Sequence, residues 1–512
     1  MDEQSRTKNS IKNISFSFGT YAISLILSLI NRLYFVQLLS NEYLGLNGLF
    51  SNILNFLSLA ELGVGGAINF ALYTPISERD TERIKSLMRL YKRFYVAIGI
   101  VILVTGGCLA PFLPVLIKDM PEEIPQLTQY YLLYVISSGI SYFYTYKRSL
   151  IICNQKEYLS SITTAIAKIL ITVLQIIFLW LTHSYAVYLL VSIILTVGEN
   201  ICISKIADRM YPYLKDKTVK KLPTELVLDI KKNIGAMVFH KIGAAVVFST
   251  DNIIISKFVG LAAVGLYSNY TLVINSVNSI MGRVFTAIIA SVGSLIAAND
   301  VEHTEEVFHR VLFLNYWIRS FCTIAFFCLI QSFITLWIGD KYLLNMDTVI
   351  IITLNFYFGG MRTAVNTFKD ASGLFWYDRY KPLIEGVLNL VLSIPLAIRY
   401  GVAGVLLGTI GSTLLVPFWF EAYILFKYLF HKRIWKYIGK QILFAIATLS
   451  VGGICVICCN MIHGDNILAF IIRMLICVVL PNLCMVVLWH RTEEFGYFLE
   501  IIKKIRGGNA HG

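Results

Sequence analysis

The sequence predicts an all-α polytopic membrane protein with about fourteen transmembrane helices, and three observations carry that prediction. Of its 512 residues, 57% are hydrophobic and only 15% are charged, with a mean hydropathy of +0.68. A soluble domain is about 45–50% apolar and about 25% charged, so this chain has too little polar surface to coat a water-soluble globule. Apolar runs long enough to cross a hydrocarbon core of roughly 30 Å, about 20 residues each, recur along the whole chain. Finally, Lys and Arg are shared very unequally between alternate loops. Together these exclude a cytosolic enzyme, a nucleic-acid binder and a secreted disulfide scaffold.

The apolar runs fall at about 11–38, 43–72, 92–116, 126–146, 158–182, 184–205, 234–256, 262–295, 311–337, 346–372, 381–398, 402–427, 438–461 and 466–489. Several are joined only by short turns such as "SNEY", "THSY" and "HGDN". Each such pair is expected to be a helical hairpin, because lipid-facing backbone must be hydrogen-bonded internally. The polar start "MDEQSRTKNSIKN" lacks the pattern of a cleavable signal, so the first run reads as a true span.

With both termini placed inside, the inner loops and tails carry 33 Lys and Arg, against 4 outside (Lys118, Lys257, Lys341 and Arg399). That bias predicts cytoplasmic N- and C-termini. It also accounts for much of the net charge of +13 through basic loops beside anionic lipid.

The longest connection, 206–233, is basic and divides the chain. The expected organisation is a six-helix lobe at 1–205, this linker, a second six-helix lobe at 234–428, accessory helices thirteen and fourteen at 429–489, and a cytoplasmic tail at 490–512. Internal repetition supports two lobes. A shift of 220 residues lays "NRLYFVQLLSNEYLGLNGLF", from Asn31, on "DNIIISKFVGLAAVGLYSNY", from Asp251, and Gly45-Leu46 on Gly265-Leu266. Two repeated halves with a site between them are a known transporter design.

Seven basic residues lie inside expected spans: Arg32, Lys168, Lys241, Arg283, Arg319, Arg362 and Arg473. Each costs about 2.5–3.5 kcal/mol at the centre of a lipid-facing helix, so they are not all exposed to lipid. Lys168 and Arg362 lie near the middle of their helices and Arg32 in the outer part of its own, which suits a water-filled interior. Lys241, Arg283, Arg319 and Arg473 lie nearer helix ends, where snorkelling to the interface is the competing explanation. The intramembrane acids Glu61 and Asp251 suit either pairing with Arg32 or ion coupling, whereas Glu199, Glu385 and Glu421 sit where an interfacial role is expected.

Bases outnumber acids, the balance suited to an anionic headgroup, since guanidinium and ammonium groups replace the hydration of phosphate oxygens. No phosphate-binding loop, nucleophile elbow or zinc-protease motif is present, so neither a cofactor nor a resident metal is expected. The cysteines in "VGGICVICCNMI" read as small hydrophobes. Gly404 and Gly408, four apart, signal close helix packing.

The first-hairpin segment "NRLYFVQLLSNEYLGLNGLFSNILNFLSLAELGVGGAINFALY", the basic "ERIKSLMRLYKRFY" and the segment "ASGLFWYDRYKPLIEGVLNLVLSIPLA" resemble Wzx-type polysaccharide flippases. So does "GVAGVLLGTIGSTLLVPFWFEAYILFKYLF". These flippases belong to the multidrug/oligosaccharidyl-lipid/polysaccharide (MOP) exporter superfamily. The resemblance implies two six-helix bundles related by a pseudo-twofold axis, two peripheral helices and alternating access.

It further implies transfer of undecaprenyl-diphosphate-linked oligosaccharide repeat units across a bacterial cytoplasmic membrane, and no catalysis. Arg32, Lys168 and Arg362, with Lys241, Arg283 and Arg319, are then the expected headgroup ligands. Glu61 and Asp251 are the expected sites of proton or sodium coupling, or of charge pairing. The expected partners are the lipid-linked oligosaccharide, membrane lipid and polysaccharide polymerase or assembly proteins. The main rival is a multidrug/cation antiporter of the same fold. A polymerase or glycosyltransferase would need a larger outer loop than the dozen residues around "IKDMPEEIPQ".

Overall fold

In the computed structural model, the described residues are 3–61, 64–119, 124–216, parts of 222–230, 250–297, 300–374, 377–464 and 466–508. Among them there are helices and turns and no strand. Nine stretches of the described residues are long and apolar enough to cross a membrane, one of them the 48-residue stretch Lys381–Tyr428. The chain forms two compact units, Met1–Gly265 and Leu266–Gly512. The expected span 234–256 lies mostly outside the described residues, as do Lys241 and much of the 206–233 linker.

The first unit holds α1 (Glu3–Leu38), α2 (Asn41–Leu57), α3 (Val64–Glu78), α4 (Thr81–Leu109), α5 (Leu127–Cys153), α6 (Glu157–Thr182), α7 (Tyr185–Met210) and α8 (Asp251–Phe258). It also includes the start of α9 (Leu261–Ala297). The expected second span is not one helix. It breaks at a 3-10 turn, Ser58–Glu61, ahead of Gly65-Gly66, where intrinsic helix preference is weakest. The third begins earlier than the apolar run, because Asp80 caps it by accepting from the Arg83 N–H at 2.9 Å.

The 220-residue repeat has a physical counterpart inside this unit. A Cβ on Gly45 would lie 2.0 Å from the Leu261 carbonyl oxygen, and one on Gly265 would lie 2.3 Å from that of Asn41. The same shift takes Gly45 to Gly265 and Asn41 to Leu261, so the two contacts are exchanged as across a local two-fold axis. Only glycine admits so close a backbone approach at both places.

The second unit continues with α10 (Val301–Ile338), α11 (Met346–Met361), α12 (Thr363–Ala371), α13 (Lys381–Leu415), α14 (Pro417–Tyr428), α15 (Trp435–Asn460), α16 (Ile467–Trp489) and α17 (Glu493–Gly508). Within α13 the chain doubles back at Gly401, whose φ of 61° falls where side chains are disfavoured. The two arms touch through backbone at Gly404 and Gly408, each nearest the facing Leu396 or Ser393, which is the close packing expected of that pair. The expected tenth span also breaks, at Arg362. Asn315 on α10 donates to the Gly360 carbonyl at 3.1 Å, satisfying a backbone group that the break releases. An aromatic core holds the unit, with Tyr316 stacked on Phe444 at 3.8 Å and Phe308 edge-on to Phe368.

Candidate translocation site

In the first unit the break between α2 and α3 delivers Glu61 to a cage of tyrosines. Tyr95 on α4 donates to Oε1 at 2.5 Å, and Tyr142 on α5 donates to Oε2 at 2.8 Å. Tyr91, one turn before Tyr95, shares hydrogen bonds with Tyr95 at 3.3 Å and with Ser149 at 2.9 Å. No Lys or Arg lies within 4 Å of Glu61 among the described residues. A carboxylate held by neutral donors keeps lone pairs for a proton or a small cation.

Arg32 stands half-buried on α1, with the hydroxyls of Tyr134 and Tyr188 in its electrostatic surroundings. Its neighbour Asn31 donates to Gln175 on α6 at 2.7 Å and accepts from Tyr188 at 2.9 Å, tying α1, α6 and α7 together. Lys168, also half-buried, lies one turn from Thr164. Thr164 and Arg148 both donate to Glu199, at 2.7 and 2.6 Å. Glu199 is thus an interhelical acceptor.

At the end of this unit where α4 begins and α5 and α7 end, a cavity of about 400 Å³ opens. Lys85, Arg89, Lys92, Lys147 and Lys215 face it, against Asp208 and Asp216. Lys147 is paired with Asp208 at 2.7 Å and Lys85 with Asp216 at 2.9 Å. Five basic side chains against two acids give the cavity its sign.

In the second unit Arg362 sits at the α11–α12 break and forks onto Glu421 of α14. Its Nε lies 2.9 Å from Oε2 and its Nη2 2.7 Å from Oε1. Glu385 of α13 lies 3.6 Å from Nη1, and Lys381 also pairs with Glu421. Glu421 is 1% exposed and Glu385 4%, so both are buried members of an ion network, which replaces the interfacial role expected of them. Lys369 and Asp378 form a second buried pair beside α12.

Arg319, 3% exposed on α10, donates to Asn278 at 2.9 Å and lies 4.2 Å from the Phe356 ring centre. A Cβ on Gly360 would fall 1.7 Å from its Nε, so glycine makes the room in which this guanidinium lies. Arg283 is half-buried on α9, and Asp251 is half-buried at the start of α8. Lys241 lies outside the described residues.

Of the residues singled out by sequence, Arg32, Lys168 and Glu61 therefore occupy three different clusters of the first unit, and Arg362 and Arg319 two of the second. The tyrosines that hold Glu61 and the Lys381 partner of Arg362 were not singled out, and Glu421 was expected at the interface, not as a partner of Arg362. Their signal in sequence is faint, since tyrosines are common here and Lys381 sits in a basic loop.

Stretches long and apolar enough to cross a membrane, interrupted at charged residues, define a multi-pass membrane protein. Its fold is found in several solved MOP superfamily transporters. The chain is similar to the lipid II flippase MurJ in an inward closed conformation, with a TM-score of 0.64 and 16% identity over 93% of this chain and 99% of that one. It is similar to a multidrug resistance MATE family transporter in an inward-facing conformation, with a TM-score of 0.59 and 15% identity over 81% and 98%. A third is a Pyrococcus furiosus MOP superfamily transporter described as having a binding pocket of reversed polarity, with a TM-score of 0.55 and 13% identity over 82% and 96%. No protein-family model and no curated protein matches the sequence.

Proposed function

We propose that this chain is a flippase of the Wzx type. It would carry undecaprenyl-diphosphate-linked oligosaccharide repeat units from the inner to the outer leaflet of a bacterial cytoplasmic membrane, for surface polysaccharide synthesis. Both termini face the cytoplasm in this reading, and 1–205 and 234–428 are the lobes that rock. The carrying observation is the sign of the charge. Five basic groups face the 400 Å³ cavity against two acids, and the chain places more bases than acids within its spans. Such a surface suits a diphosphate and opposes a cationic drug. The fold shared with a lipid II flippase agrees with it.

In this proposal Arg32, Lys168, Arg362, Lys241, Arg283 and Arg319 contact the headgroup, and Arg362 also holds the α11–α12 break through Glu421. The polyprenyl tail stays in lipid, and no bond is made or broken. Glu61 and Asp251 are the proposed coupling groups for H⁺ or Na⁺.

The test starts from a strain lacking the gene, in which lipid-linked repeat units should collect on the inner leaflet. The wild-type gene should clear them, and an Arg32→Gln, Lys168→Gln double variant at equal membrane level should not. Clearance by that variant at the wild-type rate would remove both residues from the headgroup site. A second reading, a cation antiporter, is favoured by one observation, the Glu61 carboxylate that accepts from the phenols of Tyr95 and Tyr142. It predicts drug export lost in Glu61→Gln and kept in the double variant.

A further inference from the structure

Four of the ten cysteines, drawn from three helices, converge in the second unit. Cys328 comes from α10, Cys455 and Cys459 from successive turns of α15, and Cys477 from α16. Their four sulfurs all lie within 4.8 Å of one another. Cys477 is 3.7 Å from both Cys455 and Cys459. Cys455, Cys459 and Cys477 are buried and Cys328 is half-buried, in a cluster otherwise made of Ile324, Val451 and similar side chains.

Packing alone does not call for this arrangement. A small-hydrophobe role is met by Ala or Val at each position and does not require four sulfurs to point at one spot. Tetrahedral zinc does require it. With Zn–S bonds of about 2.3 Å, the sulfurs of a tetrathiolate stand about 3.8 Å apart. The observed 3.7 Å separations match that edge. The i, i+4 pair Cys455 and Cys459 supplies two ligands from one helix face, and the other two come from different helices.

We propose that Cys328, Cys455, Cys459 and Cys477 form a structural tetrathiolate site for a zinc ion, which fastens accessory helices α15 and α16 to α10. As the ion binds, four thiols give up four protons, so Zn²⁺ and four R–SH become [Zn(SR)₄]²⁻ and four H⁺. The product carries two negative charges in apolar surroundings. Arg473, one turn before Cys477, is the basic residue nearest to it in sequence. Its guanidinium is held by the Ser332 hydroxyl at 2.6 Å and by the carbonyls of Ile462 and Gly464 at 2.8 and 3.1 Å. Its own carbonyl lies 4.0 Å from the Cys459 sulfur.

The full-length protein, purified in detergent without chelator, should contain about one zinc per chain by elemental mass spectrometry. Exchange for Co²⁺ should give the visible absorption of a tetrahedral tetrathiolate. The Cys455→Ser, Cys477→Ser variant should fall below about a tenth of an ion per chain. Cys108→Ser, Cys202→Ser, which changes two exposed thiols, should keep the full ion.

A variant that fails to fold leaves the wild-type measurement in force. A folded wild-type chain that binds neither Zn²⁺ nor Co²⁺ and shows ten reactive thiols once denatured would overturn the site. A disulfide within the cluster, detected by intact mass, that leaves no metal binding after reduction would overturn it equally.

Discussion

Glu61 in the first unit and Glu421 in the second are both carboxylates set near a break in an expected membrane helix, and they are satisfied in opposite ways. Glu61 receives two neutral phenols, one on each oxygen. Glu421 receives a bidentate guanidinium and an ammonium, with Glu385 close by. Phenols stabilise a carboxylate by hydrogen bonds alone, without a countercharge. In a buried ion network, removing one member strands the others without a partner. The first arrangement suits a group that exchanges a proton or cation during a transport cycle. The second suits a group that holds a helix break in place.

The largest effect should come from cutting the ion network. Glu421→Gln leaves Arg362 and Lys381 facing an amide, and losing one partner of a buried pair costs about 3–5 kcal/mol. The variant should melt well below the wild type in detergent, followed by size-exclusion chromatography of heated samples. Glu421→Met with Arg362→Met, Lys381→Met and Glu385→Met should recover much of the loss, because replacing a whole buried ion set with apolar groups is often near neutral. A Glu421→Gln protein that melts like the wild type would mean the network is not acting as a buried ion set.

A smaller effect is expected at the phenol cage. Tyr142→Phe removes one donor from the half-buried Glu61 and should cost about 1 kcal/mol, the usual net worth of a hydrogen bond. In a Glu61→Gln background the same change should cost less, and a double-mutant cycle reads the difference as coupling. If Glu61 carries the coupling ion, Glu61→Gln should also slow transport at normal membrane level, which a purely structural carboxylate would not do. Equal costs of Tyr142→Phe in both backgrounds would break the contrast between the two sites.

Much of the architecture was legible because the physics behind it is one-dimensional. Hydrocarbon thickness sets the length of an apolar run, and internal hydrogen bonding makes that run a helix. The α13 hairpin lies between the expected spans 381–398 and 402–427, with Gly401 in the gap, and the repeat that aligned Gly45 with Gly265 reappears as an exchanged contact. The breaks at Ser58–Glu61 and Arg362 were not legible, since an apolar run shows no gap where a helix is interrupted by packing. Charge partners were hidden for the same reason. Arg362 and Glu421 are 59 residues apart, and Cys328 and Cys477 are farther apart still. Only the fold determines which helix faces which.

A third carboxylate, at the edge of the bundle, calibrates the other two and should give the smallest effect. Glu494 at the start of α17 accepts from the Lys440 ammonium of α15 at 2.5 Å. Burial alone would raise its pKa, but the hydrogen bond and charge of Lys440 outweigh that and hold it below the ordinary carboxylate value of 4.5. A folded value lower than the unfolded one means that this stabilisation is present above about pH 4.5 and is lost as pH falls through the folded value. For a pair this near the surface it amounts to under about 1 kcal/mol. Melting temperatures of wild type and Glu494→Gln should therefore differ slightly at pH 7 and converge in acid. A gap that widens in acid would reverse the sign of the linkage, and a gap as large as that of Glu421→Gln would erase the distinction between edge and interior pairs.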